Sequence, residues 1–165
     1  MAAFSSRTQA LGHVGWLLAA FAAGAVGAVA SAHAADFYRD LDRPAWAPPA
    51  GVFGPVWTTL YALMGVSAWL VWRERGLRGA PAAFIVFAAQ LAANALWSWV
   101  FFAWHRGGPA FADVLALLGL LVANVVLFGR ARRLAGVLLV PYLLWVTFAT
   151  ALTFAVWQRN PELLG

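Results

Sequence analysis

Phe37-Tyr38-Arg39-Asp40-Leu41-Asp42-Arg43-Pro44-Ala45-Trp46-Ala47-Pro48-Pro49 is the one long polar, proline-punctuated stretch in an otherwise apolar chain. Each X-Pro step pushes the preceding residue toward extended geometry, and each proline removes a backbone donor. A continuous helix or a central strand is therefore excluded across it. Irregular backbone cannot face hydrocarbon, because its polar groups would go unpaired. The stretch reads as a stiff extramembrane loop over 35–51, lying across the end of a helix bundle. In one reading it is a lid, with Trp46, Pro44, Pro48 and Pro49 closing over something. In the other it is a connector whose Trp46 is an interface anchor.

Composition sets the frame around that loop. Of 165 residues, 64% are hydrophobic and only 10% charged, against about 25% charge in an ordinary soluble domain. This is a single-domain, all-α, polytopic membrane protein. Cysteine is absent, which excludes disulfides, thiolate nucleophiles and zinc-thiolate sites. The net charge is +5 and every basic residue is arginine. The arginines cluster between apolar runs, which fits membrane topology rather than nucleic-acid binding.

Five apolar runs have the length of about 20 residues that a bilayer requires: 11–31, 52–72, 80–104, 109–128 and 134–157. Pro55, Pro81 and Pro109 fall near helix starts, where a missing N–H is tolerated. Pro141 lies inside the fifth run and predicts a kink. Ser31-Ala32-His33-Ala34 resembles a signal-peptidase site, but the run before it exceeds the usual length of about 7–15 residues, so the first helix is expected to be retained. The N-terminus, the second–third loop and the fourth–fifth loop share Arg7, Arg73, Arg75, Arg78, Arg130, Arg132 and Arg133. The opposite side has Arg39, Arg43, Arg106 and Arg159. This bias predicts a cytoplasmic N-terminus and an external first loop, and the helical spans favour a bacterial inner membrane over the outer one.

Ten tryptophans are the compositional anomaly. Trp16, Trp69, Trp72, Trp104 and Trp157 fall where interface anchors belong. At about 1.5 Å per residue, Trp57 and Tyr61 lie roughly 7 and 13 Å below the loop end of the second helix. Trp97 and Asn94 lie about 10 and 15 Å deep on the third helix, and Ala149 and Trp145 about 12 and 18 Å deep on the fifth. Gln90, Asn94, Trp97 and Phe101 form one helical stripe. Gly24 and Gly27 leave room on the first helix. The residues thus converge beneath the loop, as walls of an aromatic, sparsely polar cavity suited to a flat apolar ligand. Phe148 and Leu152 extend the fifth-helix wall. The alternative for the stripe is interhelical hydrogen bonding alone. Ala88, Ala89, Ala92 and Ala93 permit close helix approach, either in a homodimer or within one chain. No carboxylate lies deep in a span, no histidines or other ligands are spaced for haem iron or another metal, and no serine has an evident base.

Four ordered motifs add a resemblance. Phe37-Tyr38 through Leu41-Asp42-Arg43-Pro44-Ala45-Trp46-Ala47-Pro48-Pro49, Trp57-Thr58-Thr59-Leu60-Tyr61, Gln90-Leu91 through Asn94 to Trp97, and Pro141-Tyr142 with Trp145 and Ala149-Thr150 are similar to the motifs of the tryptophan-rich sensory protein/translocator protein family. The resemblance implies a dimeric five-helix bundle with a ligand cavity closed by the first loop. It implies protoporphyrin IX or haem-like tetrapyrroles as ligands rather than obligatory cofactors. It aligns Trp57 and Trp145 with tryptophans implicated in porphyrin photodegradation, which would make the chain an enzyme at those positions. It also aligns Ala149 with a position of sterol and drug-ligand effects. Two departures stand out. Phe37 replaces the common tryptophan of the loop motif. Phe154 replaces the tyrosine of the family's proposed cholesterol motif, so a sterol would lack that hydroxyl. A structural or partner-regulating membrane protein is the remaining reading.

Overall fold

The computed structural model describes residues 5–165. Seven helices make up the described chain, with no strand among the described residues. They are α1 (Ser6–Ala30), α2 (Ala34–Asp40), α3 (Phe53–Gly79), α4 (Pro81–Ser98), α5 (Gly107–Ala131), α6 (Arg133–Arg159) and α7 (Pro161–Leu164). A 3-10 turn (Ala50–Val52) precedes α3, and a π-helical segment (Trp99–Ala103) continues α4. Five of these elements are long and apolar enough to cross a membrane.

Local chemistry sets the helix ends. Ser5 caps α1, its hydroxyl accepting from the Thr8 N–H at 3.2 Å. Pro81 opens α4 at a position that needs no backbone donor. Arg132 alone separates α5 from α6, so the two form an antiparallel hairpin. At its crossing, a Cβ on Gly136 would stand 2.8 Å from the Gly129 Cα, so only glycine allows that approach. α6 runs unbroken through Pro141. Neighbours follow one another as α1, α3, α6, α5, α4 and back to α1, a closed ring of five spans.

Two apolar clusters hold the ring together. The larger includes Met64, Phe87, Leu121, Phe128, Leu139 and Tyr142. The smaller lies beneath the first loop and includes Tyr38, Leu41, Val100, Phe101, Leu152, Val156 and Leu164. α1 is the most loosely held span, with only Ala20 and Gly27 buried.

The first loop corrects an expectation. It is not irregular throughout 35–51, because Ala34–Asp40 is helical. No proline occurs before Pro44, so the steric argument for extended backbone begins only near Leu41. From there the chain is extended with a turn at Ala45–Trp46. It is fastened by Asn160, whose Oδ1 accepts from the Asp42 N–H at 2.8 Å and whose Nδ2 donates to the Asp42 carbonyl at 2.9 Å. The Tyr38 hydroxyl donates to the Pro48 carbonyl at 3.0 Å, and the Arg43 guanidinium lies 4.7 Å from the Tyr38 ring centre.

Candidate functional site

A cavity of about 610 Å³ lies between the two apolar clusters. That is within the usual range for small-molecule sites, about 300–1,000 Å³. α1 contributes Phe21, Gly24, Gly27 and Ala28 to its wall. α2 and the start of α3 roof it with Ala34, Ala35, Tyr38, Phe53 and Gly54. The deeper wall is Trp57 and Tyr61 of α3, Asn94 and Trp97 of α4, Phe101 and Phe102 of the π segment, and Trp145, Ala149 and Leu152 of α6. Gly24 makes room here: a Cβ on it would come within 2.6 Å of the Tyr61 ring.

The aromatic walls are ordered by one another. Trp57 stands 5.7 Å from Tyr61 and 6.5 Å, edge to face, from Trp145. Trp97 stacks on Phe101 at 5.2 Å. The wider π turn carries Phe101 and Phe102 together into the lining, and His105, in a left-handed conformation (φ 52), ends it. His105 is stacked on Phe37 at 4.1 Å, which ties α2 to that turn.

Polar groups in the wall divide into two sets. Asn94 is spent on the protein: its Oδ1 accepts from the Tyr61 hydroxyl at 2.6 Å, and its Nδ2 donates to the Tyr142 hydroxyl at 2.8 Å. Three spans are thereby joined at one buried amide. The Ser31 and Thr58 hydroxyls bond carbonyls of their own helices. The indole N–H groups of Trp97 and Trp145, by contrast, are buried without a protein partner. Neither arginine nor histidine is in the lining. It can stack a flat ring; it holds no nucleophile with a base. Among the described residues, no group of three or more metal-ligating side chains occurs.

Of the residues the sequence points to, Trp57, Tyr61, Asn94, Trp97, Phe101, Trp145, Ala149 and Leu152 meet at the cavity. Four elements of that reading lie elsewhere. Gln90 is buried below the cavity, its amide directed at the Met64 sulfur at 3.6 Å. Phe148 packs between Trp145 and Trp46, outside the lining. Trp46 is 52% exposed and lies edge-on to Phe148, so it props the outside of α6 rather than covering the cavity. Pro44, Pro48 and Pro49 shape the loop without touching the cavity, whose roof is α2 instead. Tyr38, Phe53 and Phe102 join the lining without being among the ligand contacts expected from the sequence, whereas Gly24 and Gly27 mark the α1 wall there; the run Trp99–Phe102 is the visible signal for Phe102 alone. Six members of the lining are exposed: Ala35 of α2, and Phe21, Ala25, Ala28, Gly54 and Thr58, which open the cavity on the side where α1 faces α3.

The sequence profile of the TspO/MBR family matches residues 16–158. The chain belongs to the TspO/MBR family. It is 43% identical over 152 residues to Protein CrtK of Rhodobacter capsulatus, covering 88% of this chain and 91% of that one. It is 40% identical over 126 residues to the human Translocator protein, covering 75% of each. The Tryptophan-rich sensory protein of Cereibacter sphaeroides is 41% identical over 125 residues, 76% of this chain and 77% of its own. With five apolar spans, this family member is an integral multi-pass membrane protein. Relatives bear the names of sensory and translocator proteins, not of enzymes.

Proposed function

We propose that this chain is a receptor or carrier for tetrapyrroles, protoporphyrin IX above all, bound beneath α2. The observation that supports this most directly is the aromatic wall of the cavity, where Trp57, Trp97 and Trp145 come together from three spans. Trp57 and Trp145 would stack against the macrocycle, and stacking contributes about 0.5–1.5 kcal/mol beyond area burial. No histidine, cysteine or methionine lines the cavity, and the hydroxyls of its tyrosines, Tyr38 and Tyr61, are engaged with the Pro48 carbonyl and Asn94, so a haem would be held by its ring rather than its iron. With no arginine in the lining, the ligand's carboxylates belong under the α2 roof, on the aqueous side, rather than at the opening toward lipid. A sterol fits this proposal less well, since Phe154 offers no hydroxyl and packs at 5.1 Å on Phe111. The arginine-rich end is assigned to the cytoplasm of a bacterial inner membrane. A homodimer would use the exposed Ala88 and Ala92 of α4, with the half-buried Ala89 and Ala93 behind them; chemical cross-linking in native membranes tests it.

Titration of protoporphyrin IX against tryptophan fluorescence tests the binding. Saturable quenching is expected, and a Trp57→Phe/Trp145→Phe double variant should lose most of it. Unchanged quenching in that variant rejects these walls. The second reading, light- and oxygen-dependent breakdown of the porphyrin, is favoured by the edge-to-face contact of Trp57 and Trp145 inside the lining. Illumination of the complex must then bleach the porphyrin faster than free porphyrin bleaches. A chain whose aromatic cluster serves only packing would show neither behaviour.

A further inference from the structure

The two ends of the bundle carry very different charge. Arg39, Arg43, Arg106 and Arg159 at the cavity end are matched by Asp36, Asp40, Asp42 and Glu162. At the opposite end Arg7, Arg73, Arg75, Arg78, Arg130, Arg132 and Arg133 face one carboxylate, Glu74. That carboxylate is taken by Arg132, and this bridge ties the end of α3 to the α5–α6 turn. Arg75 and Arg78 therefore lie on one side of the bridge and Arg130 and Arg133 on the other, all four exposed. None of the four forms an ion pair among the described residues.

Depth fixes what these groups meet. From Phe53 to Arg75, α3 rises about 34 Å, slightly more than the roughly 30 Å of hydrocarbon in a bilayer. Gly76, in a left-handed conformation (φ 62), then breaks the helix, so the tail to Gly79 leaves its axis. Leu77 in that tail is 53% exposed, an apolar side chain between Arg75 and Arg78. The Trp69 indole, under the Arg73 guanidinium at 4.7 Å, donates to the Gln9 carbonyl at 3.0 Å and draws the start of α1 to the same level. An apolar anchor flanked by unpaired guanidinium groups, at headgroup depth, is complementary to lipid phosphate with a net negative charge.

We propose that this end is a binding surface for anionic phospholipid, with Arg75 and Arg78 of α3 and Arg130 and Arg133 of the α5–α6 hairpin holding headgroups and Leu77 seated among the acyl chains. It is independent of what occupies the cavity.

Native mass spectrometry of the purified protein with equimolar phosphatidylglycerol and phosphatidylcholine of identical chains tests this. Phosphatidylglycerol should be retained in preference by about fivefold or more. The Arg75→Gln/Arg78→Gln/Arg130→Gln/Arg133→Gln variant should bring the ratio near one, while Arg39→Gln/Arg106→Gln at the other end should leave it unchanged. Should the fourfold variant fail to fold, the wild-type preference must still fall as ionic strength rises. Equal retention of both lipids by the wild type overturns the proposal. So does a preference that survives the fourfold change, one that ignores salt, or one abolished by millimolar glycerol phosphate, which would make the ligand a free anion.

Discussion

At the scale of the residue, the cavity wall contains polar groups of two kinds, and substitution separates them. Asn94 is a joint: it accepts from Tyr61 and donates to Tyr142 across three spans. Such bonds contribute about 0.6 kcal/mol each in a membrane. Asn94→Leu is expected to lower stability in detergent by about 1–2 kcal/mol, once the stranded tyrosine hydroxyls are counted. The Trp97 and Trp145 indole N–H groups bond nothing in the protein. A Trp97→Phe or Trp145→Phe change should therefore remove no internal hydrogen bond and leave thermal stability within a degree or two, while weakening porphyrin affinity by about two- to tenfold through the smaller ring face left for stacking. Parallel melting and quenching titrations check both. Equal stability losses at Asn94 and Trp145 would mean that the indoles are packing only.

Among the elements, α2 and the loop after it form a roof held by few contacts, each identifiable. Asn160 makes two hydrogen bonds to the Asp42 backbone and a third to the Val156 carbonyl at 2.7 Å. Asn160→Ala should speed amide exchange at Asp42 and through residues 41–49, with the exchange of α5 unchanged. Tyr38 gives the roof a pH dependence. Its burial raises the phenol pKa above the ordinary 10.0, with the Arg43 side chain opposing the shift only partly. In the unfolded roof Tyr38 ionises near pH 10, before the folded one does, so roof stability is intact below that pH and declines as pH rises past it. Tyr38→Phe should flatten the alkaline limb of that exchange profile. The roof also shows what the sequence hid. All five spans were legible because about 20 apolar residues admit few other fates. α2 was not: a seven-residue helix has no such signature, and residues 34–40 contain no proline to mark where extended backbone begins. Gln90 was misplaced for a related reason. A helical stripe gives direction but not depth, and the cavity floor lies at Asn94, one turn above Gln90.

For the whole molecule, the open question is the route by which a ligand reaches the cavity. The roof lies on the aqueous side, while Ala28 of α1 and Thr58 of α3 border an opening toward the bilayer. α1 is the span with the least buried surface in the ring, so among the five spans it is the wall held least firmly. The two close together lower down, where a Cβ on Gly65 would stand 2.8 Å from the Leu17 backbone and one on Gly12 would run into the Trp72 ring. A flat apolar ligand partitions into lipid before it meets the protein, which favours the side opening over the roof. Placing a large ring at that rim, by Ala28→Trp or Thr58→Trp, should slow porphyrin association and dissociation together, by about tenfold for a barrier raised by one RT ln 10 unit of 1.4 kcal/mol, and leave the equilibrium affinity nearly unchanged. Asn160→Ala, which loosens the roof, should leave both rates as they are. Stopped-flow quenching with the ligand delivered from vesicles distinguishes the two routes: rates that respond to Asn160→Ala and ignore the rim variants would assign the passage to the roof.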